Sequence, residues 1–546
     1  MGLTVEEFDV VVVGCGAAGM TAALTAARHG LSVAVVEKAE VYGGSAARSG
    51  GALWLPGNAV LRAAGVVDDD AAARRYLAHV AGPEVAEARR DAFLQHGPDV
   101  LDLVREHTPL DFAWVPGYPD YYPEAPGGLP GGRTVEPRPL DTRLLGFDAD
   151  TLAPPYRAAP AGFAVTAADY RWLSLGARHP RAVWTAARLT ASGLTASVRH
   201  RHRLTMGQAL AGGLRAGLRA AGVPVLLGVP LQELIVVQGR VAGVLAGTAT
   251  HPERLRARRG VVVGSGGFEH HAELRRKHQP VGVGWSTGAP GNTGDGITAG
   301  HRLGAALDLM DEAWWGPTLP LTGGPYFCLA ERNLPRCILI DGTGRRFGNE
   351  SAPYVDAVHA MFATPRHAPT WLITDQVYRN RYLFAGYGPR APLPRRWFTA
   401  GVAHRATTLA ELADRIGVPT PALSATVDRF NGFAATGHDD DFGRGDSAYD
   451  RYYGDPRNKP NPCLGPISKP PFYAFQVVPG DLGTKGGLRT DEHARVLRED
   501  GTPIPGLYAA GNASAAVMGR SYAGAGATLG PAMTFGYLAA LDLARS

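Results

Sequence analysis

Two short runs of apolar, β-branched residues stand close together near the start of the chain. Residues 10–13 are all valine, which is typical of a strand buried on both faces, and residues 32–36 are similarly apolar. Between them, residues 20–29 are rich in alanine and predict a helix. A strand, a helix and a second strand within about 30 residues predict a parallel βαβ unit.

Glycines mark the junction between the first strand and the helix. Gly14, Gly16 and Gly19 have the spacing GxGxxG, which supplies a tight turn, room for a pyrophosphate and close packing of helix on strand. The second strand ends at Glu37, about 20 residues further on, where a ribose hydroxyl needs an acceptor. Together these features predict a dinucleotide site, and a glycine turn without a ligand is the alternative.

Apolar runs of the same kind return later in the chain. Residues 258–268 predict a buried strand ending in glycines, and the glycine-rich residues 291–296 precede a predicted helix at 297–306. Residues 314–481 differ in character, because prolines and aromatic residues are frequent there. We therefore predict an α/β fold into which a second domain is inserted.

The predicted first domain is Rossmann-like and discontinuous, with residues 1-312 and 484-546, and the inserted α+β catalytic domain takes residues 313-483. Within the insert, residues 408–436 predict one helical stretch and residues 437–461 a long excursion loop. Near the end of the chain, Pro531 suits the first position of a helix.

Composition narrows the function classes. The 546 residues allow two or more domains, and a net charge of +5 with scattered arginines predicts no nucleic-acid partner. Four cysteines without metal-like spacing predict no metal site and a reducing, cytoplasmic compartment. The first strand begins too early for a secretory signal peptide, and no apolar run could span a bilayer. Weak peripheral contact with a membrane stays open.

A second glycine-rich loop, residues 41–58, follows Glu37 and Lys38. It resembles a loop of the flavoproteins related to fumarate reductase and succinate dehydrogenase, where it runs along FAD towards the flavin. In covalent members of that family, a histidine of this loop carries the flavin. Ala46 stands at what resembles that place. The resemblance therefore implies that FAD is the cofactor and that it is held non-covalently.

Nearly the whole chain resembles the FAD-dependent 3-ketosteroid Δ1-dehydrogenases of steroid-degrading bacteria. The most specific motifs are PDYYPE, RFGNESAPY, DLGTKGGL and GLYAAGNASAAVMGRSYAGAGATLGPAMTFGY. Those enzymes remove two hydrogens from C1 and C2 of the steroid A-ring, sending a hydride to flavin N5 and a proton to a tyrosine. The resemblance implies a Rossmann-like FAD-binding domain, a substrate resembling androst-4-ene-3,17-dione, and an electron acceptor that the sequence does not name.

The resemblance also implies two roles for tyrosines. Tyr354, in NESAPY, is the base, and Tyr121, the first tyrosine of DYY, is its hydrogen-bonded helper. A tyrosine with a pKa near 10 is a poor base unless neighbours favour its phenolate, and a second tyrosine that donates a hydrogen bond does so. Packing is the alternative role for each of these side chains.

The resemblance assigns two further residues to the C3 carbonyl oxygen of the steroid. Tyr522, after GRS, and the amide of Gly526 are expected to hold that oxygen and so to stabilise the developing enolate. This chain has YAGAG where the family often has YPGPG, and the change keeps both glycines. Phe327 is expected to line the steroid pocket, although Tyr326 could take its place.

The expected FAD contacts come from several segments of the chain. They are Gly14, Gly16, Ala17, Ala18, Gly19, Glu37, Lys38, Gly43, Gly44, Ser45, Ser49, Gly50, Gly51, Gly266, Gly267, Asn292, Asp295, Gly511, Asn512, Thr528 and Leu529.

Three alternatives to a Δ1-dehydrogenase stay open at this point. They are a 3-ketosteroid Δ4-(5α)-dehydrogenase, another FAD-dependent oxidoreductase of the fumarate reductase-like family, and, least favoured, a flavin-binding protein without turnover. The C-terminal motif GRSYAGAGATLGPAMTFGY favours the Δ1 type. A fumarate reductase would need an Arg/His cluster for a dicarboxylate, whereas the candidate pocket segments offer tyrosines and apolar residues.

Overall fold

The structure is a computed structural model that describes residues 5–157, 163–198, 202–248 and 250–546. Its strands, in chain order, are β1 Val5–Val13, β2 Val33–Glu37, β3 Leu53–Trp54, β4 Phe112–Trp114, β5 Thr134–Pro137, β6 Leu140–Asp141, β7 Arg203–Leu204, β8 Val225–Leu227, β9 Leu231–Val237, β10 Arg240–Gly247, β11 Pro252–Val263, β12 Leu307–Asp308, β13 Ala313–Leu319, β14 Tyr326–Phe327, β15 Cys337–Ile340, β16 Thr370–Asp375, β17 Ala403–Ala406, β18 Phe472–Thr484, β19 Gly487–Leu488, β20 Arg495–Leu497 and β21 Pro503–Ala509.

The α-helices, in chain order, are α1 Ala17–Arg28, α2 Gly44–Arg48, α3 Ala59–Ala63, α4 Asp70–Ala81, α5 Glu87–His107, α6 Ala167–Leu173, α7 Pro180–Val198, α8 Met206–Ala220, α9 Ala272–His278, α10 Asp295–Arg302, α11 Tyr354–Phe362, α12 Gln376–Arg381, α13 Arg395–Thr399, α14 Leu409–Ile416, α15 Thr420–Thr436, α16 Ala448–Tyr452 and α17 Leu529–Arg545. Short 3-10 turns occur at Thr142–Thr151, Gly176–Arg178, Pro365–His367 and Gly511–Ala513.

The largest sheet of the described residues contains the predicted βαβ unit. Its strand order is β20-β21-β11-β1-β2-β8, and β10 and then β9 continue from β11. The strands β21, β11, β1, β2 and β8 are parallel, with Val10 of β1 between Gly260 and Val33. All four valines of residues 10–13 are buried. The prediction of a buried parallel strand is therefore confirmed.

The two faces of β1 contribute to different parts of the core. Val10 and Val12 belong to the cluster that contains the apolar residues of α1, α8 and α17, whereas Val11 and Val13 face a cluster built with β10 and β21. Helix α1 packs against α17 at close range, since a Cβ on Gly536 would lie 2.4 Å from the carbonyl oxygen of Ala18. Small residues on both helices permit this approach.

A second sheet has six strands and is antiparallel throughout. Its order is β14-β13-β18-β16-β15, with β17 also paired to the long strand β18. All of its strands lie between Ala313 and Thr484. An α/β fold with a Rossmann-like part and an antiparallel insert is thus present. The division at residues 312/313 and 483/484 stays our proposal, and β18 ends one residue beyond the second of these boundaries.

The helices of the insert differ from two predictions. The single helical stretch expected at residues 408–436 is two helices, α14 and α15, because Gly417 adopts a left-handed conformation (φ 70°) and Pro419 follows it. The expected excursion loop at residues 437–461 contains helix α16, whose N-cap side chain is Ser447. The tyrosines of α16 pack against other rings and are buried, which composition alone did not indicate.

Two other helix boundaries also differ from prediction. The helix expected at residues 297–306 is α10, which begins at Asp295 and ends at Arg302, because Gly304 has φ 85°. Helix α17 begins at Leu529, so Pro531 is its third residue rather than its first. A proline is tolerated anywhere in the first turn, where backbone N–H groups have no partner within the helix.

A buried ion pair joins the Rossmann-like part to the second sheet. The guanidinium Nη2 of Arg275, on α9, lies 2.7 Å from Oδ2 of Asp481, on β18, and both side chains are fully buried. Oδ1 of Asp481 accepts hydrogen bonds from the hydroxyl of Ser286 (2.6 Å) and the amide of Gly483 (2.9 Å). Removal of Arg275 would leave a buried carboxylate without its counter-charge.

We expect Arg275→Met to lower the free energy of unfolding by about 3–5 kcal/mol, the usual cost of breaking one side of a buried ion pair. Urea-induced unfolding followed by circular dichroism measures the change. The exposed pair Arg415–Glu411 gives a matched control, because Arg415→Met should cost less than about 1 kcal/mol. Equally small losses of unfolding free energy in both variants would contradict a stabilising role of the Arg275–Asp481 ion pair.

Candidate active site

The three glycines of GxGxxG have different neighbours. A Cβ on Gly14 would lie 2.5 Å from the carbonyl oxygen of Gly264, and one on Gly19 would lie 1.9 Å from that of Gly14. A Cβ on Gly16 would meet nothing within 4 Å. At Gly14 and Gly19, therefore, the neighbouring backbone leaves no room for a side chain. Gly16, the N-cap of α1, borders open space where free N–H groups favour a pyrophosphate.

The expected cofactor residues gather at one end of the parallel sheet. Strands β1, β2, β11 and β21 end at Val13, Glu37, Val263 and Ala509, and parallel strands place these ends along the same edge. Expected contacts follow each of them, namely the GxGxxG turn with Ala17 and Ala18, Lys38, Gly266 and Gly267, and Gly511 and Asn512. The carboxyl edge of such a sheet is where dinucleotides bind, so the residues present fit the cofactor.

Glu37 and Lys38 are both engaged with protein groups at this edge. The Glu37 carboxylate accepts hydrogen bonds from the amides of Cys15 (2.8 Å) and Ala39 (3.0 Å). Lys38 Nζ lies 2.6 Å from Oδ2 of Asp295, another expected contact. Glu37 is therefore fixed beside the glycine turn, and its contact with a ribose stays a prediction.

The second glycine-rich loop is joined to residues 289–292. The Ser45 hydroxyl accepts from the Ala289 amide (2.9 Å) and from Nδ2 of Asn292 (3.0 Å). The remaining expected contacts of this loop lie around it: Gly43 and Gly44, with positive φ; Ser49, whose hydroxyl donates to Ala46; and Gly50 and Gly51. Added Cβ atoms on Gly44 and Gly50 would meet nothing within 4 Å, as for Gly16.

We expect Gly16→Ala to fold with nearly the stability of the original apoprotein but to bind FAD weakly, because its methyl group would occupy the open space. Gly19→Ala should lower the stability of the apoprotein by at least about 1–3 kcal/mol, the usual cost of overpacking. Thermal unfolding of the apoproteins and FAD titration separate the two effects. Wild-type FAD affinity in Gly16→Ala would contradict this assignment.

Three tyrosine hydroxyls converge at a second, buried place. The Tyr121 hydroxyl donates to that of Tyr354 at 3.3 Å, and their ring centroids are 5.4 Å apart. The Tyr522 ring stacks on Tyr121 at 5.2 Å and meets Tyr354 edge-on at 5.3 Å. All three side chains are buried. The structure thus brings together tyrosines that the sequence separates by more than 160 residues in each case.

Each of the three tyrosines comes from a different element. Tyr121 lies in the turn-rich segment 117–128, and its amide donates to the carbonyl oxygen of Ala523 (3.0 Å). Tyr354 is the first residue of α11, after Pro353, and Tyr522 lies in the glycine-rich loop before α17. The backbone bond to Ala523 holds the Tyr121 segment directly against the Tyr522 loop.

The surroundings of Tyr522 concentrate hydrogen-bond donors. Thr528 Oγ1 donates to the Tyr522 hydroxyl at 2.9 Å, and the amides of Gly526 and Thr528 also face it. Burial raises the pKa of Tyr522, and these donors oppose the rise. Gly526 has φ 97°, and a Cβ there would lie 2.5 Å from the carbonyl oxygen of Ala52. The Gly526 amide and the Tyr522 hydroxyl therefore share one small region.

Several neighbours act on the pKa of Tyr354. Burial raises it well above its usual value, Tyr522 and Tyr118 raise it further, and the hydrogen bond from Tyr121 opposes the rise. Burial likewise raises the pKa of Tyr121. The hydrogen bond from Tyr121 therefore favours a phenolate at Tyr354, and the helper role of Tyr121 stays a prediction.

The aromatic surroundings of the site include residues that sequence reasoning missed. Phe327 meets the Tyr354 ring edge-on at 5.1 Å, whereas the Tyr326 hydroxyl donates to Glu331 (2.6 Å). Tyr449, on α16, lies 4.6 Å from the Tyr121 ring, and Trp314 lies 5.0 Å from that of Tyr522. The crowded tyrosines of the expected excursion loop are the signal that could have placed α16 here.

Trp314 connects the tyrosine site to the carboxyl edge of the parallel sheet, where the expected cofactor contacts lie. Its indole N–H donates to Oδ1 of Asn512 at 3.0 Å, while its ring packs on Tyr522. Leu529, the first residue of α17, follows Thr528, which donates to Tyr522. Expected dinucleotide contacts that adjoin buried phenols in this way are typical of an oxidoreductase that acts on an organic substrate. Among the described residues, no cluster of His, Cys, Asp and Glu could hold a metal ion.

Comparison with known proteins gives the class and the family. The model of the FAD binding domain family matches residues 9–529. The chain is 54% identical over 557 residues to the 3-oxosteroid 1-dehydrogenase of Mycobacterium tuberculosis, covering 99% of both chains. It is 38% identical to a 4-oxocyclohexanecarboxylate 2-dehydrogenase of Sinomonas cyclohexanicum, covering 100% of this chain and 94% of that one.

A solved structure is similar over the full length. The 3-ketosteroid Δ1-dehydrogenase of Sterolibacterium denitrificans, in complex with 1,4-androstadiene-3,17-dione, has a TM-score of 0.93 and 41% identity, covering 99% of this chain and 100% of that one. The protein is thus a flavoprotein with FAD as its cofactor. It belongs to the FAD binding domain family and, within it, to the 3-oxosteroid 1-dehydrogenases.

Proposed function

We propose that this protein is a flavoenzyme that introduces a C1–C2 double bond into the A-ring of 3-ketosteroids. The observation that carries the proposal is the convergence of the Tyr121, Tyr354 and Tyr522 hydroxyls beside the Gly526 amide, next to the cofactor edge. It occurs in a chain 54% identical to a 3-oxosteroid 1-dehydrogenase. The tyrosine site matches the two things that such a reaction needs besides the flavin.

The first need is removal of a proton from C2. A C–H group beside a ketone is a very weak acid, so a base must be held within hydrogen-bond reach of it. We assign this role to Tyr354 Oη, and Tyr121 stabilises the phenolate through its donated hydrogen bond. FAD, when bound, supplies the acceptor for the hydride that leaves C1.

The second need is stabilisation of charge on the C3 oxygen. As C2 loses its proton, negative charge develops on that oxygen, and fixed donors in a buried site stabilise it without reorganisation. We assign the Tyr522 hydroxyl and the Gly526 amide to this role, because the amide faces that hydroxyl and the two donors are therefore adjacent. Phe327, which packs on Tyr354, is assigned to the wall of the steroid pocket.

The substrate class rests on similarity as well as on the site. The relative from Sinomonas acts, by its name, on a cyclic ketone without a steroid nucleus, but the identity to it is lower, 38% against 54%. A solved 3-ketosteroid Δ4-(5α)-dehydrogenase from Rhodococcus jostii has a TM-score of 0.70 at 22% identity, which shows a shared fold alone. These values favour a steroid substrate resembling androst-4-ene-3,17-dione and oxidation at C1–C2.

Several finer expectations are proposals of the same kind. We assign the protein to the reducing cytoplasm, in support of which its four cysteines are all buried free thiols. Non-covalent attachment of FAD and weak peripheral contact with a membrane stay predictions. In the part of the chain that the structure describes, no helix is long and apolar enough to cross a membrane.

A substrate that is saturated at both candidate positions tests the reaction. We expect the holoenzyme to convert 5α-androstane-3,17-dione, with an artificial electron acceptor, to the 1,2-dehydro product, because the tyrosines are assigned to C2 and C3. Product analysis by NMR locates the new double bond. A C4–C5 double bond would favour the Δ4-(5α) alternative, and an enzyme inert towards every 3-ketosteroid tested would contradict the proposal.

Two hydroxyl deletions test the assigned roles. Tyr522→Phe should slow turnover by about 10²–10³, the usual cost of one lost oxyanion donor. Tyr354→Phe should slow it further, because it removes the proton acceptor, while FAD stays bound. With hydride transfer blocked, Tyr354→Phe should abolish C2 proton exchange with deuterated solvent, whereas Tyr522→Phe should only slow it. More than about a tenth of wild-type turnover in Tyr354→Phe would contradict its role, since a lost general base costs at least about 10².

A further inference from the structure

A second row of hydrogen bonds runs beside the three tyrosines. Tyr122, the neighbour of Tyr121, donates from its hydroxyl to Oδ1 of Asp356 at 2.9 Å. Asp356 lies two residues after Tyr354, in the first turn of α11. This bond therefore connects the segment that carries Tyr121 to the helix that carries Tyr354, over a sequence separation of 234 residues.

The same row continues to the Tyr522 loop. The Ser521 side chain faces the Tyr122 hydroxyl and opposes the rise that burial causes in the pKa of Tyr122, and Ser521 directly precedes Tyr522. The Ser521 carbonyl oxygen accepts a hydrogen bond from Lys485 Nζ at 2.7 Å. Each member of the tyrosine site thus has a sequence neighbour in this second row, which consists of Asp356, Tyr122, Ser521 and Lys485.

Lys485 is held in place from two sides. Its side chain is fully buried, and Nζ lies 4.8 Å from the centre of the Trp314 ring, which in turn packs on Tyr522. Burial lowers the pKa of Lys485 to about 7, while Glu312 and Asp356 raise it and Arg520 lowers it. Burial raises the pKa of Asp356, which Tyr122, His359, Lys485 and Arg332 oppose. Lys485 and Asp356 therefore attract each other from the two ends of the row.

Hydrogen-bond lengths indicate which contacts fix the geometry. Hydroxyl pairs usually lie 2.5–3.0 Å apart, so the 3.3 Å between Tyr121 and Tyr354 is long and weak. The bonds Tyr122–Asp356 (2.9 Å) and Lys485–Ser521 (2.7 Å) have ordinary lengths, and both include an ionisable partner. The weak bond between the Tyr121 and Tyr354 hydroxyls does not by itself fix their separation, whereas the Tyr122–Asp356 bond of the second row joins the same two segments at ordinary length.

We propose that Asp356, Tyr122, Ser521 and Lys485 form a positioning network that sets the mutual placement of Tyr121, Tyr354 and Tyr522 for proton removal. The inference rests on the proposed function, since it concerns the same A-ring chemistry. A misplacement of about 1 Å can cost up to about 10² in rate. Loss of one side chain of this network should therefore lower kcat and leave FAD binding intact.

The first test removes one hydroxyl and keeps its ring. We expect Tyr122→Phe to lower kcat for androst-4-ene-3,17-dione about tenfold, which corresponds to about 1.4 kcal/mol, with KM within about twofold and full FAD content. In a Tyr354→Phe background, the same substitution should cause no further loss in single-turnover rate, because it acts through Tyr354. A purely structural contribution would instead slow both backgrounds by the same factor.

Tyr382→Phe is the matched control. The Tyr382 hydroxyl also donates to a buried carboxylate, Oδ2 of Asp455 at 2.8 Å, and it contacts none of the three site tyrosines. This variant should lose a comparable amount of thermal stability and keep wild-type kcat. Asp356→Asn, which keeps an acceptor oxygen, should retain more kcat than Asp356→Leu, and it serves if Tyr122→Phe does not fold.

The outcomes separate this inference from the proposed function. A wild-type enzyme without Δ1 activity would contradict the proposed function itself. An active wild type whose Tyr122→Phe and Asp356→Leu variants keep more than half of kcat would overturn the positioning network alone. Equal rate losses for Tyr122→Phe with and without Tyr354 would also overturn it, because the effect would then not pass through the base.

Discussion

The site depends on one constraint, the burial of three phenol groups away from water. Burial raises the pKa of Tyr121, Tyr354 and Tyr522 alike, so none of them ionises easily in isolation. The same burial strengthens every hydrogen bond that a phenolate or an enolate would accept. Chemistry at such a site therefore depends on where the donors point, and the fold has to hold these donors in place.

Two sheets of different type share this task. The parallel sheet presents its carboxyl edge, with Gly16 open to a ligand, and the antiparallel sheet supplies Trp314 and leads to α11 with Tyr354. Arg275 and Asp481 join the two parts in the interior. Trp314 touches both the expected cofactor contact Asn512 and Tyr522, so one side chain connects the expected place of the cofactor to the proposed carbonyl donor.

Local patterns explain what the sequence could predict. The valines at 10–13, the glycine turn and the acid at Glu37 lie close together in the chain, and the structure confirms their strand, helix and strand. Tyr121, Tyr354 and Tyr522 came from motifs of a resembling family, and the structure brings them together. Their catalytic roles stay proposals.

Long-range contacts explain what the sequence could not predict. Nothing near Tyr122 indicates Asp356, which is 234 residues away, and nothing near Ser521 indicates Lys485. The Asp, Gly and Tyr residues around helix α16 predict a loop, yet Tyr449 lies in a helix and packs against Tyr121. Such positions are set by tertiary packing, which overrides local propensity.

In the proposed function, buried tyrosines and FAD act together on one ring of a 3-ketosteroid. Anaerobic mixing of the holoenzyme with androst-4-ene-3,17-dione, without any other electron acceptor, tests it most directly. We expect prompt loss of the yellow flavin absorbance and formation of one 1,2-dehydro product per flavin. Unchanged flavin absorbance in the presence of bound steroid, or a product with its new double bond elsewhere, would contradict it.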